Sequence, residues 1–331
     1  MYLPFGDYLK GLVSWIITVI SSNIYQIFRP GIKWVLRKAT GLCELQRTCY
    51  CEPAGAKRIV AIEHSLRGSK SEQVKKLLEF LDRAAKEKRF SDSSSPVVSN
   101  SVRAICDIKK IRLEVHQPFG KSFSECVSLI WGLNELMHTI EGLRSTAYDA
   151  EDASHEEKLL DLWALLMPGK ELDSRVSNSW KELGFQGEDP KTDFRGMGIL
   201  GLENLLYFSK NYSNAALHVL SHANHPSHGY SYAIVGINLT HLAYTLWKDG
   251  TAKSHIYNLC SQLSKPCRPR LIHFHRFYCY LFFEFDKLWM REKPVNIMEF
   301  SRIRDIFEKN IRSQLADPNC LFKLNFPVVH I

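Results

Sequence analysis

The run FSECVSLIWGLNELMHTIEGLRSTAY, residues 123–148, decides the fold class. Phe123, Val127, Ile130, Leu133 and Met137 recur at steps of four and three, which lines one face of an α-helix. The same spacing precedes it in Val74, Leu77, Leu78 and Leu81, and again in Val102, Ile105, Ile108 and Ile111. Downstream, Leu159, Leu162, Trp163 and Leu166 mark a short helix stopped by Pro168-Gly169, and the acidic AEDASHEE stretch before it supplies a cap. Leu172, Val176, Trp180 and Leu183 continue at helical steps, and the pattern resumes from Leu202 to Phe208 and from Tyr230 to Trp247. Two late helices, 272–290 and 295–315, are split at Pro294, and YCYLFFEF at Tyr278–Phe285 reads as a buried helical run. Strand alternation is confined to Arg58–Glu63. The expected fold is all-α, a multi-helix bundle with no solenoid repeat.

Composition narrows the function classes. The chain has 331 residues, 45% of them hydrophobic and 24% charged, which suits a globular core and excludes a polytopic membrane protein. The net charge of +8 is unevenly placed: no acidic residue occurs from Tyr8 to Cys43, where Lys10, Arg29, Lys33, Arg37 and Lys38 lie. That asymmetry points to a membrane surface, contacted through residues 8–40, and not to nucleic acid. Gly11–Phe28 carries no charge, is apolar in its first half, and is of marginal length for a spanning helix. Its basic residues mostly follow it, unlike a signal peptide, so the bulk of the chain is expected to face the cytosol. A flat-lying amphipathic helix, internal packing and an organelle presequence are the alternatives. The organelle is not specified. Nine cysteines without a C-x-x-C pair suggest free thiols, and the sequons at Asn211 and Asn238 fall in helical segments and are read as unused.

Periodicity fails between Gly184 and Gly198, in WKELGFQGEDPKTDFRGMG, residues 180–198. Gly184, Gly187, Gly196 and Gly198 permit positive φ or close backbone approach. Pro190 fixes a turn, Thr192 or Asp193 is placed to cap the following helix, and Trp180, Phe185 and Phe194 can pin the loop to a core. A loop tied down in this way presents Gln186, Asp193 and Arg195 in fixed positions.

The pattern W-x3-GFQ-x3-P-x-TDFRG-x3-LG-x2-NL-x2-F, from Trp180 to Phe208, resembles the signature of the ELMO domain. The wider chain is similar to the ELMO domain-containing family: GLCELQR at Gly41–Arg47, AYDAED at Ala147–Asp152, HEEKLLDLW at His155–Trp163, GYSYAIVGINLT at Gly229–Thr240 and MEFSRIR at Met298–Arg304. The resemblance implies an ELMO domain over 151–320, a tail at 321–331, and a helical part at 41–150 packed on the domain, with a Ser-rich linker at 91–96. It further implies an intracellular GTPase-activating protein for GTP-loaded Arf and Arf-like small GTPases, with Arg195 as the arginine finger. Hydrolysis develops charge on β- and γ-phosphate oxygens, which a planar, permanently charged guanidinium suits. The alternatives are a non-catalytic adaptor that binds the GTPase, or a subunit of a nucleotide-exchange assembly.

The residues also admit plainer roles. Arg195 could pair with Asp189 or Asp193, and Gln186 is read as structural support. No P-loop motif occurs, and no cofactor is expected. His218, His222, His225, His228 and His241 suggest a metal by spacing, but Pro226 interrupts the helix and no neighbouring carboxylate or thiolate completes a set, so no metal is expected. The histidines of HFHRF at His273–Phe277 are read as core or surface groups.

Overall fold

The computed structural model describes residues 31–90, 96–262 and 267–326, and among them every regular element is helical. The charge-free segment Gly11–Phe28 and most of the Ser-rich linker lie outside the described residues. Chain order runs α1 (31–40), α2 (Glu44–Cys51), α3 (Ala56–Arg67), α4 (Glu72–Lys86), α5 (Val97–Lys109), α6 (Gln117–Ser145) and α7 (Ala153–Leu166). Two 3-10 turns follow, Asn178–Leu183 and Pro190–Gly196. After them come α8 (Gly198–Asn211), α9 (Ser213–Ala223), α10 (Tyr232–Lys248), α11 (Lys253–Ser261), α12 (Leu271–Glu292) and α13 (Phe300–Leu315). The all-α bundle is as expected.

Helix α6 owes its length to the opening sequence run. Phe123, Val127, Ile130, Leu133 and Leu136 are buried along it, and Pro118 sits in its first turn, where the missing N–H costs nothing. Helix α7 starts where Asp152 accepts the Ser154 N–H at 2.8 Å, the cap expected from the acidic stretch. Helix α8 is central: it packs on α6, α7, α9, α10 and α12, and Leu200, Leu202, Leu205 and Phe208 are fully buried. Each such side chain contributes roughly 1.5–3 kcal/mol by leaving water. Tyr278–Phe285 lies in α12 and is mostly buried, as its aromatic content requires.

Two local expectations fail. Arg58–Glu63 belongs to α3, where Ile59, Ile62 and Leu66 form one buried helical face. The alternation seen at short range was three-residue periodicity sampled over too few residues. Residues 171–177 are irregular, although Leu172, Val176 and Trp180 keep helical spacing. There the indoles of Trp163 and Trp180 take the Lys170 and Arg175 carbonyls at 2.8 and 2.9 Å, groups a helix would have used internally. Asn211 and Asn238 are both helical, in α8 and α10.

Candidate functional site

The loop between α7 and α8 is held by an aromatic chain. Trp163, Trp180, Phe185, Phe194 and Tyr148 stack in succession with ring centroids 5.3, 5.8, 5.8 and 5.5 Å apart. The first three of these contacts are edge-on, the geometry ring quadrupoles favour. Trp180, Phe185 and Phe194 are buried and therefore anchor the loop.

Charge locks the other side. The Arg175 guanidinium donates to Glu156, with Nη2 2.9 Å from Oε1, and to Asp189 at 3.1 Å, and it lies 6.0 Å from the Tyr148 ring centroid. Tyr148 donates its O–H to Glu156 at 2.6 Å. Burial pushes both carboxylates up, but Arg175, with Tyr148 at Glu156 and the Lys191 N–H at Asp189, outweighs it and leaves both below their ordinary range. Asp189 also caps the second 3-10 turn by accepting the Lys191 N–H at 3.1 Å, with Pro190 buried at its first position. Sequence reading missed Arg175, Glu156 and Tyr148 as a unit because pairing across 19 and 8 positions leaves no periodic trace.

The expected site residues take distinct places. Arg195 is exposed at the end of the second 3-10 turn, and its guanidinium makes no hydrogen bond or ion pair among the described residues. Asp189 is taken by Arg175 and Lys191. Asp193 accepts the Gln186 N–H at 2.9 Å, closing the loop on itself. Burial raises the Asp193 carboxyl, opposed by that N–H and by the charge of Arg195. Neither Thr192 nor Asp193 caps α8: its N-cap is Met197, with no side-chain bond, and Thr192 Oγ1 donates instead to the Asp189 carbonyl at 3.3 Å. Gln186 supports the loop through its backbone, and its side chain is exposed.

The glycines divide in two. Gly184 has φ +78°, and a Cβ there would lie 2.4 Å from Tyr232 N; Gly198 has φ +52°, and a Cβ would lie 2.3 Å from Thr146 O. Gly187 and Gly196 have neither a positive φ nor a close neighbour. At Gly196 the absent side chain leaves the surface beside Arg195 clear.

That surface borders a groove of about 560 Å³ between the loop, α6 and α10, lined by Arg144, Asp193, Gly196, His241, Tyr244 and Lys248. Arg144 and Lys248 lie 5.3 and 5.2 Å from the Tyr244 ring centroid. Glu141 braces Arg144 at 2.6 and 2.9 Å, and that pairing, with Tyr244, takes the Glu141 carboxyl down to about 2. Arg195 thus stands on a rigid loop at the rim of a concave surface carrying two further fixed cations.

Contrary to expectation, a carboxylate does stand beside two of the clustered histidines. Asp286 of α12 does reach His218 and His222 of α9, with ligand atoms within 4.8 Å, and Cys260, Cys267 and His273 form a second such trio. The buried Asp286 already accepts from Tyr230 at 2.7 Å and lies 2.7 Å from His222 Nδ1. Its hydrogen bond raises the His222 pKa against burial. A histidine raised above its unfolded value near 6.5 stabilises fully below that value and loses the contribution as pH rises through the folded pKa. Between about pH 6 and pH 8, the melting temperature should therefore fall more steeply for wild type than for His222→Gln. Parallel melting profiles would remove the pair from the account of stability.

The model of the ELMO/CED-12 family matches residues 138–304. The chain is 45% identical over 297 residues to ELMO domain-containing protein 2 of Mus musculus, covering 90% of this chain and 95% of that protein. Against ELMO domain-containing protein 1 of Homo sapiens it is 43% identical, covering 87% and 88%. The similarity extends to ELMO domain-containing protein B of Dictyostelium discoideum, at 34% identity over 86% of this chain and 94% of that protein.

Proposed function

The chain belongs to the ELMO/CED-12 family, and from that premise we propose that it activates GTP hydrolysis on Arf-like small GTPases by inserting Arg195 into the partner's nucleotide site. The observation that carries this reading is the state of Arg195: exposed, unpaired among the described residues, and mounted on a loop fixed by five aromatic rings and the Arg175 clamp. A guanidinium engaged by internal acids would have to break those bonds before reaching a phosphate. This one is already free to do so, and the loop that carries it loses little entropy on docking.

The groove beside it supplies the docking surface in this proposal. Arg144 and Lys248 favour a partner whose nucleotide-proximal face is acidic. Residues 8–40 are assigned the membrane surface on which lipid-anchored GTPases sit, and co-localisation there raises effective concentration.

The test is single-turnover GTP hydrolysis by a panel of Arf and Arf-like proteins with increasing amounts of this chain. Acceleration of at least one member supports the reading; binding to the GTP form without acceleration makes the chain an adaptor. Lys248→Glu should raise the concentration for half-maximal stimulation by about three- to tenfold with an unchanged maximal rate. An unchanged concentration dependence takes the groove out of the docking surface.

A further inference from the structure

A second concave surface lies far along the chain from the arginine loop, where α1 meets α2 and the ends of α3 and α5. It encloses about 550 Å³, and its walls bring together Lys33, Arg37, Arg47, Lys70 and Lys109 with one acid, Glu44. Glu44 is already engaged, by Lys33 at 2.6 Å and by the Ser65 hydroxyl at 2.6 Å. Arg47 donates to the Leu42 carbonyl at 2.6 Å, and Lys109 to Ser69 Oγ at 3.3 Å, so both heads are positioned by neighbours without losing charge. The side chains of Arg37 and Lys70 make no hydrogen bond or ion pair among the described residues and are exposed.

Five like charges from separate segments around one concavity repel each other, and Glu44 offsets only one. That repulsion works against the contacts Lys33, Arg47 and Lys109 make with the fold, whereas an anion carrying several charges gains from every member. Guanidinium forks and ammonium groups suit phosphate oxygens, and the volume suits a small polar ligand. We propose that this cleft binds a multiply phosphorylated headgroup, supplied by a phosphoinositide in the membrane.

The lipid source rests on the membrane reading of residues 8–40; the affinity of the cleft for a polyphosphate does not. Lys33 and Arg37 follow the charge-free Gly11–Phe28 segment, so the cleft lies close in sequence to the stretch assigned to the bilayer. On α1, Trp34 is 65% and Val35 56% exposed, beside Lys33, Arg37 and Lys38. Exposed aromatic and aliphatic groups among cations are the pattern of a helix lying in the interfacial region.

The experiment has two arms, both with the full chain. The first measures co-sedimentation with phosphatidylcholine vesicles containing either phosphatidylinositol bisphosphate or phosphatidylserine at matched total charge. The second measures calorimetric binding of soluble inositol trisphosphate, which needs no membrane. The vesicle arm should show preference for the phosphorylated lipid. The double variant Arg37→Glu/Lys70→Glu should weaken both arms by about tenfold or more, with melting temperature and solution GTPase stimulation unchanged. Soluble binding without vesicle preference overturns the lipid source. No binding in either arm, or equal sedimentation with both lipids that the variant leaves unchanged, overturns the site. Because stimulation in solution is read separately, failure here is distinct from failure of the activation reading.

Discussion

Replacing Arg195 with lysine or alanine should reduce stimulated single-turnover GTP hydrolysis by about 10³-fold or more, close to the unstimulated rate of the partner. A thousandfold is about 4 kcal/mol of transition-state stabilisation, larger than any surface contact in this loop supplies to folding. Lysine should fail nearly as badly as alanine, because an ammonium is a point charge and cannot bridge two phosphate oxygens with a planar fork. Neither change should harm the fold: the side chain is exposed and unpaired among the described residues, so stability should stay within about 0.5 kcal/mol of wild type. Binding to the GTP-loaded partner should persist, since the groove cations remain. The decisive readout is therefore the maximal hydrolysis rate at saturating activator. Full activity in both variants would sink the finger and leave a binding module.

How far these features are legible from the chain depends on the range of the interactions that create them. Helices α4 to α8 announce themselves because burial on one helical face repeats every three or four residues, and that repetition is local. The loop from Trp180 to Gly198 is legible for the opposite reason, its lack of period combined with glycine, proline and aromatic content. What holds it is not legible. Arg175 reaches Glu156 and Asp189 across the turns, and Asp286 reaches His222 across 64 positions. Such pairings follow from the tertiary arrangement and leave no mark on spacing. The misplaced cap has a similar origin. Asp193 had the residue type for α8, but the Gln186 N–H competes for its carboxylate, and α8 begins against α6 without a side-chain cap.

That junction of α6 with α8 carries the second large expectation. Ile199 donates its N–H to the Thr146 carbonyl at 2.9 Å, which places the first turn of α8 directly on the end of α6. Gly198 makes the approach possible: at φ +52°, its missing Cβ would lie 2.3 Å from Thr146 O and 2.4 Å from Arg144 O. Both obstacles are backbone atoms and cannot rotate aside. Gly198→Ala should therefore cost about 2–5 kcal/mol, combining left-handed strain of ~1–2 kcal/mol with overpacking of ~1–3 kcal/mol. Thermal unfolding should drop by roughly 3–8 °C. The same displacement pries apart the two ends of the docking groove, since Arg144 rides on α6 while Arg195 ends the turn leading into α8. Stimulated hydrolysis should consequently fall even at temperatures where the variant remains folded. Gly196→Ala, two residues away, is the control. With no atom within 4 Å of its Cβ and no positive φ, it should leave unfolding within about 0.5 kcal/mol of wild type. A Gly198→Ala protein that melts like Gly196→Ala would mean that α8 tolerates lifting from α6, and the rigidity ascribed to the Arg195 mount would lose its foundation.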